Sequence, residues 1–491
     1  MKSRIRNIFV LPALLAFGLA PIEQVTAQTF TTLHNFTGDQ DGLSPRGGLV
    51  LLGDALYGTT TGYGSGSRLS TNSTIFVMNT YGTAFTNIFT FGQIFPSGSS
   101  PTNSDGTFPN NSLILVGDTL YGTANNGGHY GKGTVFSVRT DGTGFTNLHN
   151  FSGSSDGTWP RGLVISSNIL YGATASGGSW SNGTIFSLRT DGAHFKTLHN
   201  FTAMSGSSFT NVDGASPYAG VVISENTLYG TAQRGGKWGS GTVFSIRTDG
   251  DKFTTMHNFS SFSDGSSPHG RLLLSGGVLY GTANGGGGAG GRGGTVFKVS
   301  TNGTGFTKLY SFSGNAFPST NNDGANPSSG LVLSEDTLYG TTLYGGISGE
   351  GIVFAVQTNG TGFTNLHTFT ATSGPLSTNS DGTFPTGDLI FSGHSLYGTA
   401  HGGGGSGGGT VFRISFQQPE PPRPLMNMIR SGGNLILLWP TNAVGFVLQS
   451  ATDAIAPNAW SIVSPEPVII GGQNVVVDSL SSTQKFYRLT Y

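Results

Sequence analysis

The chain has no cysteine in its 491 residues. Disulfide staples, a lipid-modified cysteine and thiolate metal sites are therefore excluded, and stability has to come from packing and sheet pairing. Charge is sparse as well: 23 Lys and Arg face 24 Asp and Glu, for a formal net charge of −1. No block of Lys or Arg follows the first six residues, so the basic footprint of a nucleic-acid binder is missing. Long apolar runs are absent with one exception. The run IFVLPALLAFGLA is preceded by Lys2, Arg4 and Arg6 and followed by Val25-Thr26-Ala27, the layout of a secretion signal with a small-residue cleavage site. It is too short for a comfortable membrane span. The expectation is a signal peptide over 1–27, a mature chain from Gln28, and a secreted, cell-surface or periplasmic protein with no membrane span once the signal is removed. A retained N-terminal anchor is the alternative.

What the chain does have is 81 Gly beside 34 Phe and 15 Tyr. Glycine punctuates many short segments, and the aromatic mass is sufficient for a packed core rather than disorder. The Tyr of a Leu-Tyr-Gly phrase recurs at Tyr57, Tyr121, Tyr171, Tyr229, Tyr280, Tyr339 and Tyr397, a period of 50 to 64 residues. A [GS]-[TI]-[VI]-F phrase ends at Phe76, Phe136, Phe186, Phe244, Phe297, Phe354 and Phe412. A phrase like FTNLHNF starts at Phe30, Phe85, Phe145, Phe195, Phe253, Phe306 and Phe363. The fourth phrase, D-G-x-x-P, begins at Asp41, Asp105, Asp156, Asp213, Asp264, Asp323 and Asp381. A period of this length signals a repeat architecture.

Each unit reads as four short strands: an apolar run such as Leu163-Val164-Ile165, then the LYG, GTVF and FTNLHNF segments. Asp141-Gly142, Asp191-Gly192, Asp249-Gly250, Asn302-Gly303 and Asn359-Gly360 lie between the third and fourth strands, where a tight hairpin needs positive φ. Four antiparallel strands per unit describe a propeller blade; a β-helix coil is about half that length and has no hairpins. The chain opens with a lone fourth strand, Phe30 to Phe36, and the seventh unit stops after its third, Val411-Phe412-Arg413-Ile414. Pairing the two leaves no open edge. The expected fold is all-β: a seven-bladed propeller over 28–416, closed by its N-terminal strand and monomeric.

The LYGT…GG…GTVF…TDG…F phrase resembles the GloVer tandem-repeat family of exported bacterial proteins, whose members carry a choice of C-terminal anchors. The resemblance runs from residue 30 to about 415 and implies secretion and a repeat body, with no activity attached. The paired glycines after the second strand are similar to kelch blades, a likeness of fold alone. A proline-rich linker, 417–424, then leads to a separate domain at 425–491. Its runs Asn434 to Trp439, Gly445 to Gln449, Val468 to Ile470, Asn474 to Val477 and Phe486 to Leu489 suggest a small immunoglobulin- or fibronectin-like β-sandwich. It resembles the terminal β-modules of exported bacterial proteins. The chain ends FYRLTY, where the family's anchor would be an apolar helix with a basic tail, so anchoring at this end is not expected.

Five histidines, His34, His149, His199, His257 and His367, share one repeat position. Phe89 and Tyr310 hold it in the other two units, so the position asks for a flat ring on the outer strand rather than for a metal ligand. The aspartates of D-G-x-x-P are read as Asx-turns, with Gly at positive φ and Pro leading into the next unit. One carboxylate per unit is too few for Ca²⁺. Neither a metal nor a cofactor is expected. The acids outside the repeat positions and hairpin turns are Asp39, Asp251, Glu350 and Asp388. Only Asp39 and Glu350 fall in loops of the face shared by the D-G-x-x-P segments and the loops between second and third strands, and they make a poor catalytic pair.

Departures from the repeat are more telling. Nine residues after the LYG tyrosine stand Tyr130, Trp180 and Trp238 in three consecutive units, where the others have Gly66, Ala289, Ser348 and Ser406. Phe108, Trp159 and Phe384 precede the proline of the neighbouring loop, which also carries the inserts Gly92 to Ser104 and Thr202 to Val212. Insertions confined to one face mark the binding face of many repeat proteins. Tyr130, Trp180, Trp238, Trp159 and Arg234 are the candidate ligand-binding residues, with Asn125, Asn126, Gln233 and Lys237 as orienting polar groups. The expectation is a secreted, non-catalytic protein that binds a glycan or cell-envelope polymer. The alternatives are a structural or adhesive spacer that presents the C-terminal domain, and a polysaccharide-active enzyme. Exposure of the aromatic positions separates binding from spacing.

Overall fold

The computed structural model describes residues 28–62, 73–92, 102–288, 293–314, 320–416, 424–441, 446–452, 460–464, 466–479 and 485–490. The signal segment, Gly66, Ala289, most of the insert from Gly92 and nearly all of the 417–424 linker lie outside them. Every regular element among the described residues is a strand. The chain divides into a unit over Gln28–Phe416 and one that contains the residues from Gln417 onward.

Among its described residues the larger unit holds seven antiparallel sheets, six of four strands and one of five. The third sheet shows the order, with the longest first strand of the set: Thr158–Ser166, Ile169–Ser176, Thr184–Arg189 and Lys196–Asn200 pair in chain order. In the fifth, the short strand Ser266–Pro268 joins beside Leu273–Ser275. The Leu-Tyr-Gly and GTVF phrases recur together because they are one contact. Gly172 lies opposite Phe186 in the ladder, and a Cβ there would stand 2.5 Å from the ring tip. The seven equivalent glycines give 2.4–2.7 Å. Space, not φ, excludes a side chain at this position. The hairpin glycines do need their φ: Gly142 is at 84° and Gly192 at 83°. Each fourth strand also carries a bulge, so that Leu198 has no residue opposite it.

The sheets succeed one another cyclically. Each of seven apolar clusters draws on two consecutive units, and one joins Tyr397 and Val411 of the last to Leu56 and Phe76 of the first. Gln28–Asn35 pairs antiparallel with Thr410–Phe416, Thr31 opposite Arg413. Thr399 Oγ1 donates to the Gly47 carbonyl at 3.1 Å, as Thr59 does to Pro109 at 2.6 Å. No edge of the seventh sheet is left without its fourth strand.

The C-terminal unit has a four-stranded sheet, Asn427–Ser431, Asn434–Pro440, Gln473–Ser479 and Val468–Ile470, and a three-stranded one, Ser461–Ile462, Val447–Ala451 and Phe486–Thr490. They share a core of Leu437, Trp439, Leu448, Val463, Val476 and Leu489. The strands Asn427–Ser431 and Ser461–Ile462 were not foreseen: the first is exposed at every position and shows no apolar alternation.

Candidate functional site

The ring position of the fourth strand does what its composition implies, and something more. His149 stacks on Phe195 of the next unit with centroids 3.9 Å apart and planes 5° from parallel. The same stack joins Phe89 to Phe145, Tyr310 to Phe363, His367 to Phe30 and His34 to Phe85. The unforeseen part is the imidazole edge, whose Nε2 meets the D-G-x-x-P aspartate. His149 to Asp156 is 3.3 Å, His199 to Asp213 2.9 Å and His257 to Asp264 2.8 Å. The Tyr310 hydroxyl donates to Asp323 at 3.0 Å. Phe89 has no polar edge, and Asp105 keeps only the backbone part of the arrangement, accepting from the Gly92 N–H as Asp156 does from Ser152.

The aspartates do not form Asx-turns of the expected kind. Asp156 reaches back to accept from the N–H and hydroxyl of Ser152 and the N–H of Gly153. Asp213 and Asp381 span their longer loops to Thr202 and Thr370 in the same way. Burial pushes these carboxyls up, but the histidine and hydroxyl hydrogen bonds outweigh it and hold Asp41, Asp213, Asp264 and Asp381 below the usual value, with Asp156 drawn down to about 2. Each aspartate serves as a clasp between the end of one sheet and the start of the next.

Behind the clasp the backbone is strained in every unit. The glycines take the positive φ expected of them, from 82° at Gly324 to 113° at Gly265. Two residues later, directly before the proline, Ser44, Phe108, Trp159, Ser216, Ser267, Asn326 and Phe384 are also left-handed, at 53–59°. Non-glycine residues pay roughly 1–2 kcal/mol for that conformation, and proline further disfavours it in the residue before. The N–H of this residue is held by the preceding unit: Trp159 donates to the Lys132 carbonyl at 3.1 Å, Ser216 to Asn182 at 2.8 Å and Phe384 to Glu350 at 2.9 Å. Strain kept at one repeated place is typical of functional faces.

The strained turns deliver the residue after each proline to a common centre. Arg46, Asn110, Arg161, Tyr218, His269, Ser328 and Thr386, one from every unit, line a narrow cavity of about 130 Å³ together with Arg271 and Asp388. The Arg161 guanidinium lies 3.6 Å over the Tyr218 ring, and Tyr218 packs on His269 at 4.2 Å. With its amide turned to donate to the Pro160 carbonyl, Asn125 accepts from Arg161 Nη1 at 2.8 Å. Burial holds His269 down at about 4 and His401 at about 3; both imidazoles are neutral and donate Nδ1–H, to the Ser328 and Phe384 carbonyls.

A second cavity, of about 700 Å³, shares Arg46, Asn110, Arg161 and Tyr218 with the first and opens over the first four units. Trp159, Arg234, Asn125, Asn126 and Gln233 line it, with Phe108 and Met204. Of the candidate residues, Trp159 and Arg234 thus line one cavity. Tyr130, Trp180 and Trp238 do not line it, although Ser181 and Asn182, next to Trp180, do. All four aromatic side chains are exposed: Tyr130 by 50%, Trp159 49%, Trp180 58% and Trp238 55%. Lys237 Nζ sits 4.8 Å from the Trp238 ring. Glu350 is pushed up by burial and accepts from Thr372 at 3.3 Å, while Asp39 is exposed. Asp388, dismissed on position, lines the centre. Among the described residues no three His, Asp or Glu side chains gather as a metal site.

Residues 205–378 match the model of the Gloeobacter/Verrucomicrobia repeat, the family resembled by the sequence phrases. No sequence among the curated proteins matches the chain. Solved structures similar to it include a GH74 enzyme of Niastella koreensis, at 15% identity over 89% of this chain and 60% of that one, TM-score 0.47. An oligogalacturonate lyase in complex with manganese aligns at 10% identity over 80% of this chain and 95% of that one, also at 0.47. A nidogen/laminin complex aligns at 12% over 57% and 84%, with a TM-score of 0.36. The chain spans 60% of the length of the GH74 enzyme.

Proposed function

We propose that this chain, built on the Gloeobacter/Verrucomicrobia repeat, is a secreted, non-catalytic protein that binds a glycan or cell-envelope polymer on one face of a seven-bladed propeller. The blade count rests on the seven sheets, on their cyclic contacts and on the N-terminal strand that completes the last of them. The C-terminal unit is read as a small β-sandwich of immunoglobulin or fibronectin type, from two sheets on one core.

The observation that carries the reading is the half-exposure of Tyr130, Trp159, Trp180 and Trp238, since a spacer has no use for aromatic rings in water on one face. Flat rings with few rotatable bonds suit the apolar faces of sugars. Tyr130, Trp180 and Trp238 come from consecutive units, an arc suited to an extended chain, and Trp159 lines the wide cavity. Polar groups at the rim, Asn126, Gln233 and Arg234, supply orientation.

The test is a glycan array followed by titration calorimetry, without added metal. Binding that disappears in a Trp180→Ala/Trp238→Ala double variant and weakens in Trp159→Ala, with unchanged circular dichroism, supports the proposal. An absence of binding to envelope and plant-type polysaccharides favours the spacer, and release of reducing ends would favour an enzyme.

A further inference from the structure

The narrow cavity is built at a cost that the fold alone does not explain. Arg46, Arg161 and Arg271 converge on it, and among the described residues none of the three forms an ion pair. The one acid among its lining residues, Asp388, accepts from the Gly330 N–H at 2.6 Å through Oδ1 and from Ser112 Oγ at 3.3 Å through Oδ2, and a single carboxylate offsets only one of the three cations. Arg161 is 5% exposed and its buried Nε has no partner. Arg46 is half-buried. Burial lowers the pKa of both guanidinium groups. A desolvated cation needs a counter-charge, and burying one without it is strongly unfavourable. The wide cavity adds Arg234 and has no acid among its lining residues.

Shape says which anion fits. About 130 Å³ suits a carboxylate or sulfate group better than a whole sugar ring, for which the 700 Å³ cavity next door has room. The arginine fork matches planar and tetrahedral oxyanions with two parallel hydrogen bonds. Tyr218 fixes the Arg161 fork from one side and the Asn125 amide from its edge.

We propose that Arg46 and Arg161 bind the carboxylate or sulfate of an acidic sugar residue whose ring lies in the wide cavity against Trp159. This rests on the glycan-binding reading and narrows its ligand to acidic polysaccharides. The anion enters from the wide cavity, and the arginines shared by both cavities meet it at the neck.

Titration calorimetry on the full chain uses polygalacturonate as the carboxylate probe, dextran sulfate as the sulfate probe and dextran as the neutral one. At least one acidic polymer binds ten-fold or more tightly than dextran, and the preference shrinks as salt rises from 50 to 500 mM. Arg46→Gln removes that preference, Arg161→Lys weakens it several-fold, and Arg430→Gln in the C-terminal unit leaves it intact. Because Arg161 is buried, the Arg46 variant is decisive if Arg161→Lys misfolds. Equal affinity for dextran and both acidic polymers overturns the inference and leaves glycan binding standing. So does an acidic preference that survives Arg46→Gln. Failure to bind any of the three overturns both.

Discussion

Replacing Asp156 by asparagine keeps the shape of the clasp between the second and third units and removes its charge. In the native chain the carboxyl takes one hydrogen bond from His149 and three from Ser152 and Gly153. Its pKa falls from 3.8 to about 2. At about 1.4 kcal/mol per pKa unit, the ionised form is stabilised by about 2 kcal/mol on folding. The side chain is only 13% exposed, so solvent screening removes little of this. The sign follows from the direction of the shift. A depressed folded-state pKa gives stability that is fully present above the unfolded value of 3.8 and is lost as pH falls toward 2. In urea unfolding, Asp156→Asn is therefore less stable than the native chain by about 2 kcal/mol at pH 6. The gap narrows by nearly half by pH 3 and almost closes at pH 2. The clasps of Asp41, Asp213, Asp264 and Asp381 shift in the same direction, so the native chain as a whole loses stability steeply below pH 4. A difference between native and variant that is the same at pH 6 and pH 3 would refute the assignment of that energy to the ionised clasp.

Three further outcomes test the architecture. Removing residues 28–38 uncovers the ladder of Thr410–Phe416 and the apolar contacts of Leu33 and Phe36; the truncated chain aggregates or melts far below the full one in light scattering and calorimetry, and an unchanged monomer would disprove closure. Gly172→Ala forces a Cβ to 2.5 Å from Phe186 and destabilises by about 1–3 kcal/mol in urea unfolding, whereas Gly53→Ala, in a hairpin with open space around it, loses only its φ preference, roughly 1 kcal/mol. Ser216→Gly relieves a left-handed residue at 56° and raises stability by about 1 kcal/mol; a loss of stability would show that the pre-proline strain is not real.

The candidate site was legible only where it breaks the repeat in a recognisable way. Trp159 and Arg234 stand out in the sequence because large or charged residues replace small ones in glycine-rich loops, and both line the wide cavity. Arg46, Arg161, Tyr218 and His269 follow a proline that every unit has, and nothing local distinguishes them from ordinary strand-leading residues. A signal was nevertheless present. The residue after the proline reads Arg, Asn, Arg, Tyr, His, Ser and Thr in turn, a variable column inside a phrase that otherwise repeats. The clasp was missed for a related reason: His149 and Asp156 were each explained alone, and the aspartate persists as Asp105 in the unit where Phe89 replaces the histidine, so nothing in the sequence couples the two positions.

The sequence by itself determined the four recurring strands of the repeat, their turns and their order, because glycine, proline and period-2 apolar spacing act over a few residues, within reach of local sterics; Ser266–Pro268, Asn427–Ser431 and Ser461–Ile462 carry no such signal. It also determined closure, since the lone first strand and the missing last one are complementary pieces of the same repeat. Tertiary structure decided what meets at the centre. Seven residues 50 or more positions apart become neighbours only when the sheets close into a cycle, and the arginines brought there meet a single carboxylate, Asp388. Charge and desolvation act across space rather than along the chain, so that part of the protein could be read only once the cycle was complete.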